Sequence, residues 1–161
     1  MNMNITILCV GKVKEAFYRD AILEYQKRLS KYCNLSIVEV SDEKTKDSMS
    51  EVEINLVKEK EGERLLKNIS EKDYVIALAI NGKQLDSVEL SSFIEKQGIS
   101  GVSSIKLVIG GSLGLDDRII KRADYLLSFS KMTFPHQLMR VILLEQVYRA
   151  FRIMKNEPYH K

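Results

Sequence analysis

Three stretches of the chain bring together residue types able to do chemistry. Gly110-Gly111-Ser112-Leu113-Gly114 places a serine among three glycines directly after an apolar run. Residues 128–140, SFSKMTFPHQLMR, hold His136 behind a proline and then Arg140 in what reads as the first turn of a helix. The ending Pro158-Tyr159-His160-Lys161 offers an aromatic ring, an imidazole and a cation in succession. These spacings admit a nucleophile elbow, an anion clamp and a stacking surface for a nucleobase.

Gly110-x-Ser112-x-Gly114 between a strand and a helix is the pattern of the serine hydrolase elbow. That design takes its acid from a loop after a later strand, and its histidine follows the acid. The one later strand here runs into Ser-Lys-Met-Thr-Phe-Pro-His136 without a carboxylate, and Asp116, Asp117 and Asp124 all precede it. The triad is left incomplete, which argues against a hydrolase. The loop also lacks the G-x-G-x-x-G spacing of dinucleotide sites, and no Gly-Lys-Ser/Thr follows it as in a P-loop. Glycines so placed mark a tight turn by default; the functional alternative is a ligand lying against bare backbone.

At about 100° per residue, Leu144, Val147, Phe151 and Met154 fall on the side of Arg140, with Glu145, Arg149 and Arg152 opposite. Arg140 thus stands in an apolar stripe, and in a first turn where the helix dipole disfavours a cation. A buried, unpaired charge costs several kcal/mol, so Arg140 needs an anionic partner or an opening. An internal salt bridge is one solution, a phosphate clamp at the strand ends the other. The stripe is wider than one sheet face requires, which points to a homodimer built on this helix. His136 reads by default as a structural hydrogen-bonding residue. Tyr159 and His160 read either as a disordered end or as a stacking surface beside a group that titrates near neutrality.

The elements that must position these residues alternate along the chain. Apolar runs predict strands at 5–10, 35–40, 74–80, 105–109 and 125–130, the third closed by the turn pair Asn81-Gly82. Phe17, Ala21, Tyr25 and Leu29 recur every fourth residue and predict a helix. Ser50-x-x-Glu53 and Asp86-x-x-Glu89 have capping-box spacing and open two more, ending near residues 68 and 98. A short helix is expected at 116–123 and a long one at about 137–155. Such alternation implies an α/β fold, a parallel sheet flanked by helices, as a single domain over residues 1–161. Ligands in such sheets bind beyond the carboxyl ends of the strands, where the loops at 81–83, 110–114 and 131–137 lie.

The totals narrow the setting. The apolar runs are far too short to cross a bilayer, and no basic segment precedes the first of them. Cys9 and Cys33 come without metal-ligand spacing, so no metal is expected. This reads as a cytoplasmic, reduced protein away from membranes. Five Lys and Arg against two Glu in residues 138–161 account for the whole formal net charge of +3. That excess is either an ordinary solvated helix face or an electrostatic footprint for a polyanion.

Residues 127–136 (LSFSKMTFPH), 108–115 (VIGGSLGL), 7–12 (ILCVGK), 144–151 (LEQVYRAF) and the ending PYHK together resemble the ribosomal large subunit methyltransferase H family of the SPOUT class. The likeness covers essentially the whole chain. It implies a parallel α/β sheet with a C-terminal trefoil knot, and a homodimer. It also implies methyl transfer from S-adenosyl-L-methionine to N3 of a pseudouridine in 23S ribosomal RNA, on the assembled ribosome. The family's cofactor contacts fall here on Leu78, Gly110, Phe129, Ser130, Lys131, Met132, Thr133 and Phe134. On this reading Tyr159 and His160 cover the flipped base, and Arg140 holds RNA phosphate or the base anion. Lys161 stands where other members finish with arginine, which keeps the charge but not a bidentate phosphate contact.

Overall fold

The computed structural model describes residues 3–161. In chain order its elements are β1 (Asn4–Val10), α1 (Ala16–Leu29), β2 (Asn34–Val40), α2 (Glu51–Leu66) and β3 (Tyr74–Gln84). Then follow α3 (Ser87–Ile99), β4 (Ser104–Ile109), α4 (Asp117–Arg122), β5 (Tyr125–Ser128) and α5 (His136–Met154). The strands form one sheet of order β2-β1-β4-β3-β5, parallel throughout.

Burial explains the order. β1 is apolar on both sides: Ile5, Ile7 and Cys9 join one core, Leu8 and Val10 the other. A strand sealed on both faces belongs in the middle of a parallel sheet. The larger core lies under α1, α3 and α5, through Ile22, Leu90, Ile94, Leu143 and Val147. The smaller lies under α2 and α4, through Leu65 and Ile119. After β4 the chain crosses the α2/α4 face, lays β5 on the far side of β3, and returns as α5 to the opposite face. That traverse is consistent with the knotted SPOUT topology. No helix among the described residues is long and apolar enough to cross a membrane.

Both capping boxes form. The Ser50 hydroxyl accepts from Glu53 N at 3.1 Å and the Glu53 carboxylate accepts from Ser50 N at 3.1 Å. Asp86 and Glu89 exchange the same pair at 2.7 and 2.9 Å. The helix expected from the four-residue spacing is α1, but the spacing does not mark its buried side: Phe17 is 66% exposed, and Ile22 and Leu29 are the buried positions. Four residues overshoot a turn by about 40°, so the series drifts until Leu29 shares a side with Tyr18, Tyr25 and Ile22.

β3 does not end at Asn81-Gly82. The pairing with β5 shifts so that Leu78 and then Lys83 face Leu127, and the strand runs on to Gln84. Gly82 explains the excursion: a Cβ there would lie 2.7 Å from the Leu126 carbonyl carbon and oxygen. Only a residue without a side chain lets the two backbones meet so closely. α5 fills the slot between α1 and α3 and buries Leu143, Leu144, Val147, Tyr148, Ala150 and Phe151. The width of its apolar stripe is therefore used within the chain and does not by itself call for a second copy.

Candidate functional site

The strand ends enclose a cavity of about 580 Å³, a size usual for small-molecule sites. Its walls come from residues 78–80 after the core of β3, 109–115 after β4, and 127–130 and 132–136 after β5, closed by Met139 on α5. Of the eight positions expected to touch a cofactor, Leu78, Gly110, Phe129, Ser130, Met132, Thr133 and Phe134 line this one space. Lys131 lies in the same loop, exposed, and does not.

Glycine shapes the wall at β4. A Cβ on Gly110 would stand 2.9 Å from the carbonyl carbon of Gly114, so the loop closes tightly on itself. Gly114 takes φ +92°, a conformation side chains disfavour. The tight-turn reading of Gly110 therefore holds, and its bareness serves Gly114 directly. Among the described residues, no Asp, Glu, Lys or Arg lines the cavity. Ser112 and His136 both face the cavity, but no carboxylate completes a triad, so the hydrolase pattern is a coincidence of turn geometry. What the walls offer suits an uncharged heterocycle with an apolar-tolerant arm: Leu78, Ile109, Phe129 and Met139 for packing, and strand-end loops for close backbone approach.

Arg140 does not reach this space. Its side chain is 1% exposed and ties three elements together. One guanidinium nitrogen donates to Glu39 on β2 at 2.5 Å, and another to the carbonyls of Val10 and Gly11 at 3.0 and 2.7 Å. Of the two solutions left open for Arg140, this structure takes the internal salt bridge. His136 lines the cavity half-buried. Desolvation, then the charge of Arg140, holds its imidazole below the ordinary value of 6.5.

The tail is ordered by contacts, and it gathers a residue not singled out from the sequence. Asn156 turns the chain at φ 54°, and Arg152 donates to Glu157 and to the Pro158 carbonyl at 3.1 and 2.8 Å. Tyr32 anchors the same hook by donating to Glu157 at 2.8 Å. The Tyr159 hydroxyl donates to Glu145 at 2.7 Å, and the ring meets Tyr148 edge-on at 4.9 Å. Burial and the adjacent Glu145 carboxylate push that phenol well up, so it stays protonated. Arg149 bridges the group: it pairs with Glu145 at 2.7 Å, lies 4.7 Å from the Tyr159 ring centre, and approaches His160 Nδ1 to 3.1 Å. A guanidinium has no lone pair, so in that contact Nδ1 accepts and the imidazole proton sits on Nε2. Arg28 and Lys31 add cations over Tyr25, Tyr148 and Tyr32 on the neighbouring helix and its exit. The signal available in the sequence is the spacing of Glu145 and Arg149 four residues apart, within the charged helix face that reads either as solvated or as a polyanion footprint.

Comparison with known proteins agrees with this geometry. The model of a family described as "Predicted SPOUT methyltransferase" matches residues 3–160. A Bifidobacterium adolescentis protein named ribosomal RNA large subunit methyltransferase H is 63% identical over 99% of this chain and 100% of its own length. Relatives of the same name in Clostridium novyi and Clostridium kluyveri are 60% and 58% identical with the same coverage. Among solved structures, one titled "The structure of a probable methylase family protein from Haemophilus influenzae Rd KW20" shares the fold. It has a TM-score of 0.56 at 15% identity, over 100% of this chain and 72% of that one. A knot-compatible parallel sheet, a glycine-walled cavity at its strand ends and full-length identity of this order lead to one conclusion: the chain belongs to the SPOUT methyltransferases, within the ribosomal RNA large subunit methyltransferase H family.

Proposed function

We propose that the protein transfers a methyl group from S-adenosyl-L-methionine to N3 of a pseudouridine in 23S ribosomal RNA, on the assembled ribosome in the cytoplasm. The observation that carries the reading is the cavity, because seven of the eight positions expected to hold the cofactor line it. S-adenosyl-L-methionine supplies an electrophilic methyl carbon on a sulfonium. The chain's part begins with an enclosure whose described walls carry no anion to neutralise that centre. Leu78 and Phe129 pack the flat heterocycle, and the backbone of residues 130–134 wraps it.

The substrate side belongs to the tail. An imide nitrogen must lose its proton before it attacks, so a cation beside the developing anion lowers the barrier. Arg149 is that cation, Tyr159 is a protonated platform on which the base stacks, and His160 offers Nε2–H toward a base carbonyl. Arg149 takes over the duty first considered for Arg140. No residue beyond Met139 lines the cavity, and Arg149 lies ten residues further along α5, on the order of 15 Å. A second copy of the chain is the simplest way to bring a tail to a cavity, which makes the working unit a homodimer. Arg28, Lys31 and Lys161 extend the cationic surface toward RNA phosphates.

The test supplies labelled S-adenosyl-L-methionine with whole ribosomes and, separately, with free ribosomal RNA. Label at N3 of one pseudouridine in ribosomes is the expected result. Binding of the donor without any transfer would reduce the protein to a nucleotide-binding module.

A further inference from the structure

Beneath the glycine loop sits a carboxylate that the scheme above leaves without a task. Glu61, on α2, is 4% exposed. One of its oxygens accepts from Glu43 N at 3.0 Å, while the other, Oε1, is buried without a hydrogen-bond partner. A Cβ built on Gly111 would stand 2.9 Å from that same Oε1 and 3.3 Å from Val10 Cγ1, so Gly111 rests on the carboxyl group itself. Gly111 is also a wall of the cavity. The loop that shapes the site is therefore seated on an unsatisfied polar atom, which is costly to leave as it is. The groups facing Glu61 are Asp42 and Glu43 from the loop after β2 and Arg64 one turn along α2, with Asp116 at the head of α4 against the adjoining Gly62.

We propose that Glu61 is a positioning residue for the cofactor cavity: its carboxyl group is the seat of the Gly110–Gly114 loop, and its unpartnered oxygen under Gly111 takes up a proton when the cavity is occupied. The inference rests on the cavity being the methyl-donor site. Two features support the proton uptake. Desolvation already raises the carboxyl above its ordinary value, against the hydrogen bond from Glu43 N, and the charge of Asp42 adds to the rise. A ligand filling the cavity removes still more water from the loop, which favours the neutral form further. Linkage then sets the sign: a group whose value rises on binding makes the ligand bind more tightly at low pH and more weakly at high pH. Glu61 touches neither donor nor base, and it acts through Gly111.

Titration calorimetry of the full-length protein with S-adenosylhomocysteine, between about pH 5.5 and about pH 8, tests this. Wild type is expected to weaken as pH rises through the titration of Glu61, by at most about tenfold for each unit by which occupancy raises its carboxyl. Glu61→Gln, neutral at every pH and nearly the same shape, should keep the tight value throughout. A Gln variant whose affinity follows wild type at each pH overturns the assignment. Failure of wild type to bind at any pH overturns the reading of the cavity instead. A second measurement does not depend on titration. Gly111→Ala should weaken binding, and Glu61→Ala in that background should restore it by more than roughly threefold, as directly coupled sites do; simple additivity of the two losses would sink the proposal.

Discussion

At the strand ends, the site is made of backbone drawn close by glycines, and among the described residues no Asp, Glu, Lys or Arg lines it. Along the outer side of α5 the reverse holds: Arg149, Glu145, Tyr159 and His160 are held by their own side-chain contacts on a partly exposed surface. The first region depends on apolar walls and on no Cβ entering where a glycine stands. The second lies outside the main cores apart from Tyr159, and places most of the demand on its residues' chemistry. A defect in one should appear as instability or lost cofactor binding, and a defect in the other as lost turnover alone.

The sharpest way to break this contrast is Arg140, which belongs to neither region and supports the first. Arg140→Ala leaves Glu39 and the carbonyls of Val10 and Gly11 without their donor. The expected cost is about 3 kcal/mol, the lower end for a broken buried pair because Glu39 remains 36% exposed. The midpoint of denaturant unfolding measures it, and an unchanged midpoint would return Arg140 to the list of functional candidates. Arg149→Ala is the counterpart in the tail. It should leave the unfolding midpoint and cofactor affinity near wild type while slowing methylation of ribosomes by about 10²- to 10³-fold, the usual effect of removing one electrostatic stabiliser. Equal loss of cofactor affinity would erase the distinction between the regions.

Gly82→Ala probes the backbone-built side more finely. Its Cβ would sit 2.7 Å from Leu126 backbone atoms, and overpacking of that kind costs about 1 to 3 kcal/mol. Both stability and S-adenosylhomocysteine affinity should fall together in calorimetry, because β3 and β5 both feed walls of the cavity. The smallest effect concerns His136, which is faced by Arg140, Asp42 and Glu15. Its folded value lies below 6.5, so protons bind the unfolded chain more readily. Its contribution to stability is complete above that unfolded value and is lost as pH falls through the folded one. The melting temperature of wild type should decline more steeply over that acid window than that of His136→Gln.

What could be read before the fold was local. The two capping boxes, the twice-buried β1 and the strand-helix alternation depend on neighbours within a few residues, and they appear where expected. What could not be read depends on distant partners. Arg140 was visibly misplaced in an apolar stripe, but its partner Glu39 is 101 residues away. β3 runs past Asn81-Gly82 because β5, more than forty residues on, supplies the second half of its ladder. Arg149 joined the site only once Asn156 turned the tail back along α5. Glu61 looked like one more charge on a highly charged helix until Gly111 was found lying on it.

α5 closes the face shared with α1 and α3, and it is the last helix in the chain. Synthesis makes every earlier element of that face before the helix that seals its apolar side. Ile22, Leu90 and Ile94 must wait for Leu143 to Phe151. Sequence separations of that length make for a slow search. Until α5 docks, the face it shares with α1 and α3 keeps its apolar side chains open, and the cavity lacks the wall that Met139 lends it.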